Sequence, residues 1–262
     1  MGTLVSFHAH PDDEAISTGG TLAMAAASGH RVVIVFATRG EHGEVADGFL
    51  APGESLWERR VREAHRAAEI VGAARVEFLG YVDSGMMGAP ENDAPESFWQ
   101  ANVEEAARRL ADILEQERAD VLTVYDEHGT YGHPDHIQVH RVGVRAGELA
   151  GTARVFEAVA NRDNLRRGFE AARAAGVDLP GDLEDREFDL ETFGTPEEDI
   201  TTAIDVSAYL ERKREAMTAH ASQISDTSFF IAMPPEMFAM AFGTEWFVLR
   251  GAPGGIREHD LF

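Results

Sequence analysis

The stretch Thr3-Leu4-Val5-Ser6-Phe7-His8, with the turn Ala9-His10-Pro11-Asp12-Asp13 and the Ala-rich run Glu14–Ser28 behind it, decides the fold. Thr3–His8 is short and mostly apolar, the signature of a buried strand. Pro11 and the two acids break it. Residues 14–28 then have the composition of a helix, and Gly29 closes that helix in the usual C-terminal position. Arg31–Thr38 is β-branched and apolar and reads as a second buried strand. Strand, helix, strand at this spacing implies parallel strands joined by a crossover helix. The same alternation continues outward. Glu54–Val71 is helical with Gly72 after it, Arg75–Leu79 is a third strand, and Phe98–Arg118 is a long amphipathic helix. Asp120–Tyr125 is a fourth strand and Ile137–Ala150 a further helix. The expectation is an α/β fold: a Rossmann-like, mainly parallel sheet with helices on both faces, in a single domain over residues 1–262.

The C-terminal part is less regular. Asn161–Gly176 reads as a helix, Thr201–Val206 as a strand, Ala208–Ser222 as a helix and Thr244–Arg250 as a final strand. Asp182–Asp199 carries many acids opposed only by Arg186 and lacks the alternating ligands and central Gly of a calcium loop; it reads as a solvated acidic insertion near 180–199. The Phe- and Met-rich segment 229–250 is expected to be core.

Composition narrows the chemistry. The chain has no cysteine, which excludes disulfides, thiolate metal sites and cysteine nucleophiles; a metal here must be held by His, Asp or Glu. Acids outnumber bases 46 to 23, a formal charge of −23. Nucleic acid requires a basic footprint, and an anionic membrane surface repels such a chain, so neither is an expected partner. Hydrophobic residues at 44% and charged residues at 26% describe an ordinary globular protein. With no basic, apolar leader and no long apolar run, a cytoplasmic location is the default expectation.

Two polar clusters fall at the carboxyl ends of strands, where open α/β sheets bind ligands. One is His8-Ala9-His10-Pro11-Asp12-Asp13-Glu14, after the first strand; the other is Tyr131-Gly132-His133-Pro134-Asp135-His136, after the fourth, with His140 a turn later. Helix capping accounts for one or two of the acids but not for the histidines or the repeated His-Pro-Asp triplet. Imidazoles and carboxylates without a thiol are the ligand set of a catalytic zinc site with one position left for water. Two histidines and a carboxylate also hold iron(II) for oxygen chemistry. Of the adjacent Asp12 and Asp13, one suits a ligand and the other a base. The remaining histidines are weaker candidates: His42 is placed near a cleft by its loop, His30 and His65 are read as surface residues, and His8 is read as facing away from His10. Gly19-Gly20 lacks the spacing of a dinucleotide fingerprint.

Ala9-His10-Pro11-Asp12-Asp13-Glu14 and Gly132-His133-Pro134-Asp135-His136 together resemble the signatures of the PIG-L/LmbE-like deacetylases, metal-dependent enzymes that remove N-acetyl groups, commonly from N-acetylglucosaminyl substrates. The resemblance runs in order through Thr38-Arg39-Gly40-Glu41, Arg60-Arg62-Glu63, Leu79–Met86 and Lys213–Gln223, roughly residues 3 to 225. It implies His10, Asp13 and His136 as ligands of zinc or another divalent metal such as Fe2+, Asp12 as general base, His133 as electrophilic or acid partner, Asp135 as the group orienting an imidazole and Tyr131 as an aid to the oxyanion. It implies Arg60, Asp83, Glu41 and His220 as substrate-binding positions. The implied reaction is hydrolysis of an N-acetyl group on a small N-acetylated sugar conjugate. The family's mycothiol-type relatives leave an amidase of a larger acyl group, such as a mycothiol S-conjugate, as the alternative. The residues by themselves also leave open a metal-dependent oxygenase and a non-catalytic sugar-binding protein.

Overall fold

A computed structural model describes residues 1–174, 193–225 and 228–262. One sheet runs through them. Its strands are β1 (Thr3–His8), β2 (Arg31–Phe36), β3 (Arg75–Phe78), β4 (Val121–Tyr125), β5 (Arg154–Val159), β6 (Thr202–Asp205) and β7 (Thr244–Leu249), in the order β3-β2-β1-β4-β5-β7-β6. The first five pair in parallel, and β7 pairs antiparallel with both β5 and β6. The expected mainly parallel sheet is therefore present, with an antiparallel edge formed by the last strands.

The apolar runs form strands because both faces are covered. Val32, Ile34 and Phe36 of β2 point into the core under α1 (Asp13–Ala27) and α2 (Leu56–Val71). Val33 and Val35 point into the opposite core, under α3 (Val103–Glu117) and α5 (Pro134–Ala150). A strand buried on both sides has no polar face to show, hence the continuous apolar sequence. Between α3 and α5 lie β4 and the single turn α4 (Gly129–Gly132). The chain continues through α6 (Arg162–Ala174), α7 (Leu210–Ala219), α8 (Phe229–Ala232) and α9 (Pro235–Phe242). Helix α7 packs against both α1 and α2.

Two expectations are corrected. The run Phe98–Arg118 is not one helix: a 3-10 turn at Phe98–Gln100 is followed by a new start, where the Asn102 side chain accepts the Glu105 N–H and caps α3. Strand β5 lies outside the expected set; Arg154 and Glu157 interrupt its apolar pattern, and it owes its place to pairing with β4 and β7. Most of the acidic segment near 180–199 lies outside the described residues; residues 193–199 close it with a 3-10 turn at Glu197–Asp199. In the Phe/Met-rich segment, Met233, Phe238 and Phe247 join the core while Met240 is exposed.

The architecture sets β1 beside β4, where strands to the left were built earlier in the chain and strands to the right later. Loops leaving neighbouring strands at this point diverge to opposite sides and leave a crevice between them. Lys213 ties the C-terminal elements to this frame. Its Nζ donates to Glu245 Oε1 at 2.5 Å, and the same carboxylate accepts the N–H groups of Gly20 and Thr21 in α1. Both side chains are buried. Lys213 is the sole lysine of the chain, so an amine-reactive reagent is expected to modify only the N-terminus of the native protein and to reach Lys213 on unfolding. Lys213→Met leaves the Glu245 charge buried without its cation, and denaturant unfolding is expected to show a loss of about 3–5 kcal/mol. A loss below about 1 kcal/mol contradicts this packing.

Candidate metal centre

The turn after β1 brings His10, Asp12 and Asp13 to the crevice. Asp12 sits at the N-cap of α1 with φ 115°, ψ −33°. A non-glycine residue pays roughly 1–3 kcal/mol for such a backbone, a cost met only where surrounding contacts impose it. Here they do. Arg60 Nη2 donates to the Pro11 carbonyl at 2.6 Å and lies 3.3 Å from Asp12 Oδ2, while the Asp12 N–H donates to Glu14 Oε2 at 3.0 Å. The reversed turn lets the Asp13 carboxylate accept the His10 N–H at 2.9 Å.

The second cluster arrives from the end of β4. Asp126 Oδ1 accepts the N–H groups of His128 and Thr130, folding α4 into a tight turn in which Thr130 has φ 64°. Gly129 has φ 63°, and a Cβ there would lie 2.7 Å from the Cβ of His136; only glycine lets the turn pass this close to α5. Pro134 then starts α5, with His133 at its N-cap accepting the Asp135 N–H on Nδ1 at 3.1 Å.

Three donor atoms meet in the crevice. Asp13 Oδ2 lies 3.3 Å from His10 Nδ1 and 3.3 Å from His136 Nε2. The donor atoms of His10, Asp13 and His136 all lie within 4.8 Å of one another, and all three side chains are nearly buried. His10 also belongs to an overlapping group with Asp83 and His133. The hydrogen bonds discriminate between the two. His10 Nε2 lies 3.1 Å from Asp135 Oδ2, and a carboxylate can only accept, so Nε2 carries a proton and Nδ1 is the nitrogen turned to Asp13 and left to hold an ion. Asp135, fully buried, is itself held by the Ser84 N–H at 2.9 Å and by the Ser84 hydroxyl. A carboxylate fixing the tautomer of a liganding imidazole is the usual outer support of a metal site. Two imidazoles and a carboxylate with this support suit a divalent cation.

The electrostatics agree with that chemistry. Burial opposes charge on Asp13, but the imidazoles of His136 and His10 overcome it and hold this carboxylate well below its ordinary range. Burial pushes Asp12 up to about 6 despite the Arg60 guanidinium beside it, and Asp13 adds to the rise. His133 is pushed down to about 4 by burial and by His10 and His136 nearby. It is thus a neutral imidazole, and with Nδ1 accepting from Asp135 its proton sits on Nε2.

The other expected positions divide. Tyr131 is half-exposed on α4, with its hydroxyl 3.3 Å from His136 Nε2. Asp83 lines the site, its Oδ1 3.6 Å from His10 Nε2. The Glu41 carboxylate holds this wall from behind, accepting the Asp83 N–H at 3.0 Å and pairing with Arg39 at 2.9 Å. Arg60 and His220, expected to bind substrate, lie behind Asp12. Arg60 is 3% exposed, its guanidinium spent on the carbonyls of Gly40 and Pro11, and His220 is fully buried against Glu14. His42 contributes its N–H to Asp83 Oδ2; His65 is exposed, and His30 stacks on Phe262.

His8 is not turned away from the site. Residues two apart in a strand share a face, and β1 ends at His8. Its Nδ1 is 2.8 Å from the hydroxyl of Tyr125, whose ring stacks on His136 with centroids 4.5 Å apart. Tyr125 and Ser84 are supporting residues to which the sequence reading gives no role, although Ser84 lies in the Leu79–Met86 stretch. Tyr125 is signalled only by its position at the last residue of β4. A cavity of about 750 Å³ is walled by Asp126, His128, His140, Glu157, Arg162 and Arg250; none of the expected site residues lines it.

The PIG-L family model, described as GlcNAc-PI de-N-acetylase, matches residues 5–147. A 1D-myo-inositol 2-acetamido-2-deoxy-alpha-D-glucopyranoside deacetylase of Acidothermus cellulolyticus is 43% identical, the match covering 99% of this chain and 94% of that protein. The protein of the same description from Thermobifida fusca is 41% identical over 99% of this chain and 98% of its own. Among solved structures, N,N'-diacetylchitobiose deacetylase from Pyrococcus horikoshii aligns with a TM-score of 0.63 over 95% of this chain and 83% of that one, at 18% identity. A 4-carboxy-2-hydroxymuconate hydratase from Pseudomonas putida aligns with a TM-score of 0.58 over 97% and 98%, also at 18% identity, so likeness at this level speaks for the fold alone. With the family model covering more than half of the chain and the relatives nearly all of it, the chain belongs to the PIG-L family.

Proposed function

We propose that the protein is a metal-dependent N-deacetylase that hydrolyses the acetamido group of an N-acetylglucosaminyl conjugate, with the glucosaminyl-inositol compound named for the relatives as its first candidate substrate. The observation that carries this reading is one geometry: a buried two-imidazole, one-carboxylate cluster with a second carboxylate, Asp12, directly beside it and outside the cluster.

His10 Nδ1, Asp13 and His136 Nε2 are the residues that would hold the ion, zinc by ligand chemistry, with iron(II) suited to the same donors. Such an ion, when bound, polarises a carbonyl and lowers the pKa of water toward neutrality. Asp12 takes the proton of the attacking water as the C–O bond forms. The His133 Nε2–H donates to the carbonyl oxygen as it becomes an oxyanion, and the Tyr131 hydroxyl closes on the same oxygen from the exposed α4 turn. As the C–N bond breaks, the proton held by Asp12 passes to the nitrogen, releasing acetate and a free amine. Asp83 and the support behind it from Glu41 form the wall against which the sugar hydroxyls rest.

Acetate release from a panel of N-acetylglucosaminyl compounds is expected to be abolished by a chelator and restored by zinc. No release from any member with metal bound, together with cleavage of a larger N-acyl conjugate, overturns the deacetylase assignment. Asp12→Asn is expected to lower kcat by about 100- to 10,000-fold. His133→Ala removes one oxyanion donor and is expected to lower kcat by roughly 100- to 1,000-fold. A variant of either residue within a few-fold of wild type removes that residue from the mechanism.

A further inference from the structure

The Pro11–Asp12 peptide is gripped on both of its polar edges by buried charged side chains. Its carbonyl accepts from Arg60 Nη2 at 2.6 Å, and its N–H donates to Glu14 Oε2 at 3.0 Å. Each grip is anchored. Arg60 is fixed by the Gly40 carbonyl at 3.0 Å, and a Cβ on Gly40 would collide with the guanidinium, so the loop is shaped around the arginine. Glu14 is fixed from the other side, where its Oε1 accepts from His220 Nε2 at 2.6 Å. His220 comes from the end of α7, 206 residues further along the chain. Glu14 is 1% exposed and His220 0%, so neither contacts a ligand in the crevice. Between the two grips lies the one peptide that leads into Asp12 at φ 115°.

We propose that Arg60 and Glu14 form a two-sided clamp on the Pro11–Asp12 peptide that holds the Asp12 carboxylate in its working direction, and that His220 is the positioning residue that keeps Glu14 in the clamp. The inference rests on the reading of Asp12 as the base. Without the clamp the peptide relaxes toward an ordinary helix start, and the Asp12 carboxylate swings with it. Misplacement of a reacting group by about 1 Å costs on the order of 100-fold in rate. The clamp acts through the acceptor on the N–H and not through charge at the reacting atoms. An amide oxygen at position 14 therefore preserves it, with the imidazole of His220 taking the other tautomer toward the amide nitrogen.

The test compares Glu14→Ala with Glu14→Gln. Glu14→Ala is expected to lower kcat on the order of 100-fold with KM and bound metal unchanged, and Glu14→Gln to stay within about ten-fold of wild type. Equal losses in the two, or no loss in Glu14→Ala, overturn the clamp. A second readout does not require turnover. In the wild type the Asp12 backbone amide proton, bonded to a carboxylate, is expected downfield and protected from exchange; in Glu14→Ala it shifts upfield and exchanges. An unmoved Asp12 amide overturns the clamp whether or not the protein is a deacetylase, so the two readings fail separately. If Glu14→Ala does not fold, the same resonance is read in His220→Asn, which releases the anchor of Glu14; an unmoved signal there overturns the role of His220.

Discussion

The site depends on one buried hydrogen bond, from His10 Nε2 to Asp135. Asp135 is inaccessible to solvent and takes three donors: this imidazole, the Ser84 N–H and the Ser84 hydroxyl. It thereby joins three separate segments, the turn after β1, the loop after β3 and the first turn of α5. An unpaired carboxylate at this depth carries a heavy desolvation cost, so the segments are held in register by the need to satisfy it. The same bond decides chemistry. With Nε2 committed to Asp135, His10 keeps its other nitrogen for an ion, and that nitrogen faces Asp13 and, through it, His136.

That bond leaves the neighbouring groups with distinct contacts. Asp13 is committed to the imidazoles on either side, so Asp12, displaced by its reversed backbone, is the carboxylate left over. His133 accepts from the start of α5 and is left with a single N–H to offer. Tyr131 is carried on an exposed, tightly bent turn, the kind of element that moves on ligand binding. Several carboxylates gather around His10. Burial opposes a charge on His10, but Asp83, Asp13 and Asp135 surround it and together draw it toward the cationic form, in which the proton on Nδ1 is the one that a bound ion would displace. A cluster of that sign attracts a cation.

Much of this is legible in the sequence. The apolar runs of β1, β2 and β4 and the helices between them are local patterns, and two His-Pro-Asp triplets at strand ends declare a site in a parallel sheet. What the sequence hides depends on contacts between distant segments. Strand β5 has charges at Arg154 and Glu157 and takes its place from β7, some ninety residues further on. Arg60 and His220 both carry the side-chain chemistry of substrate binding. Only the packing of α2 and α7 over α1 shows that both are buried against the turn that carries Asp12. Ser84, in the loop after β3, and Tyr125, at the end of β4, show no role until the fold sets them beside Asp135 and His136.

The most direct measurement is zinc-edge X-ray absorption on the metal-loaded protein, the His136→Gln variant and the His133→Gln variant. Two imidazole nitrogens at about 2.0–2.1 Å are expected in the wild type. One is expected to disappear in His136→Gln, with both retained in His133→Gln. Loss of an imidazole in His133→Gln, with both retained in His136→Gln, would place the ion in the overlapping group of His10, Asp83 and His133 and contradict the assignment of Asp13 and His136 as ligands.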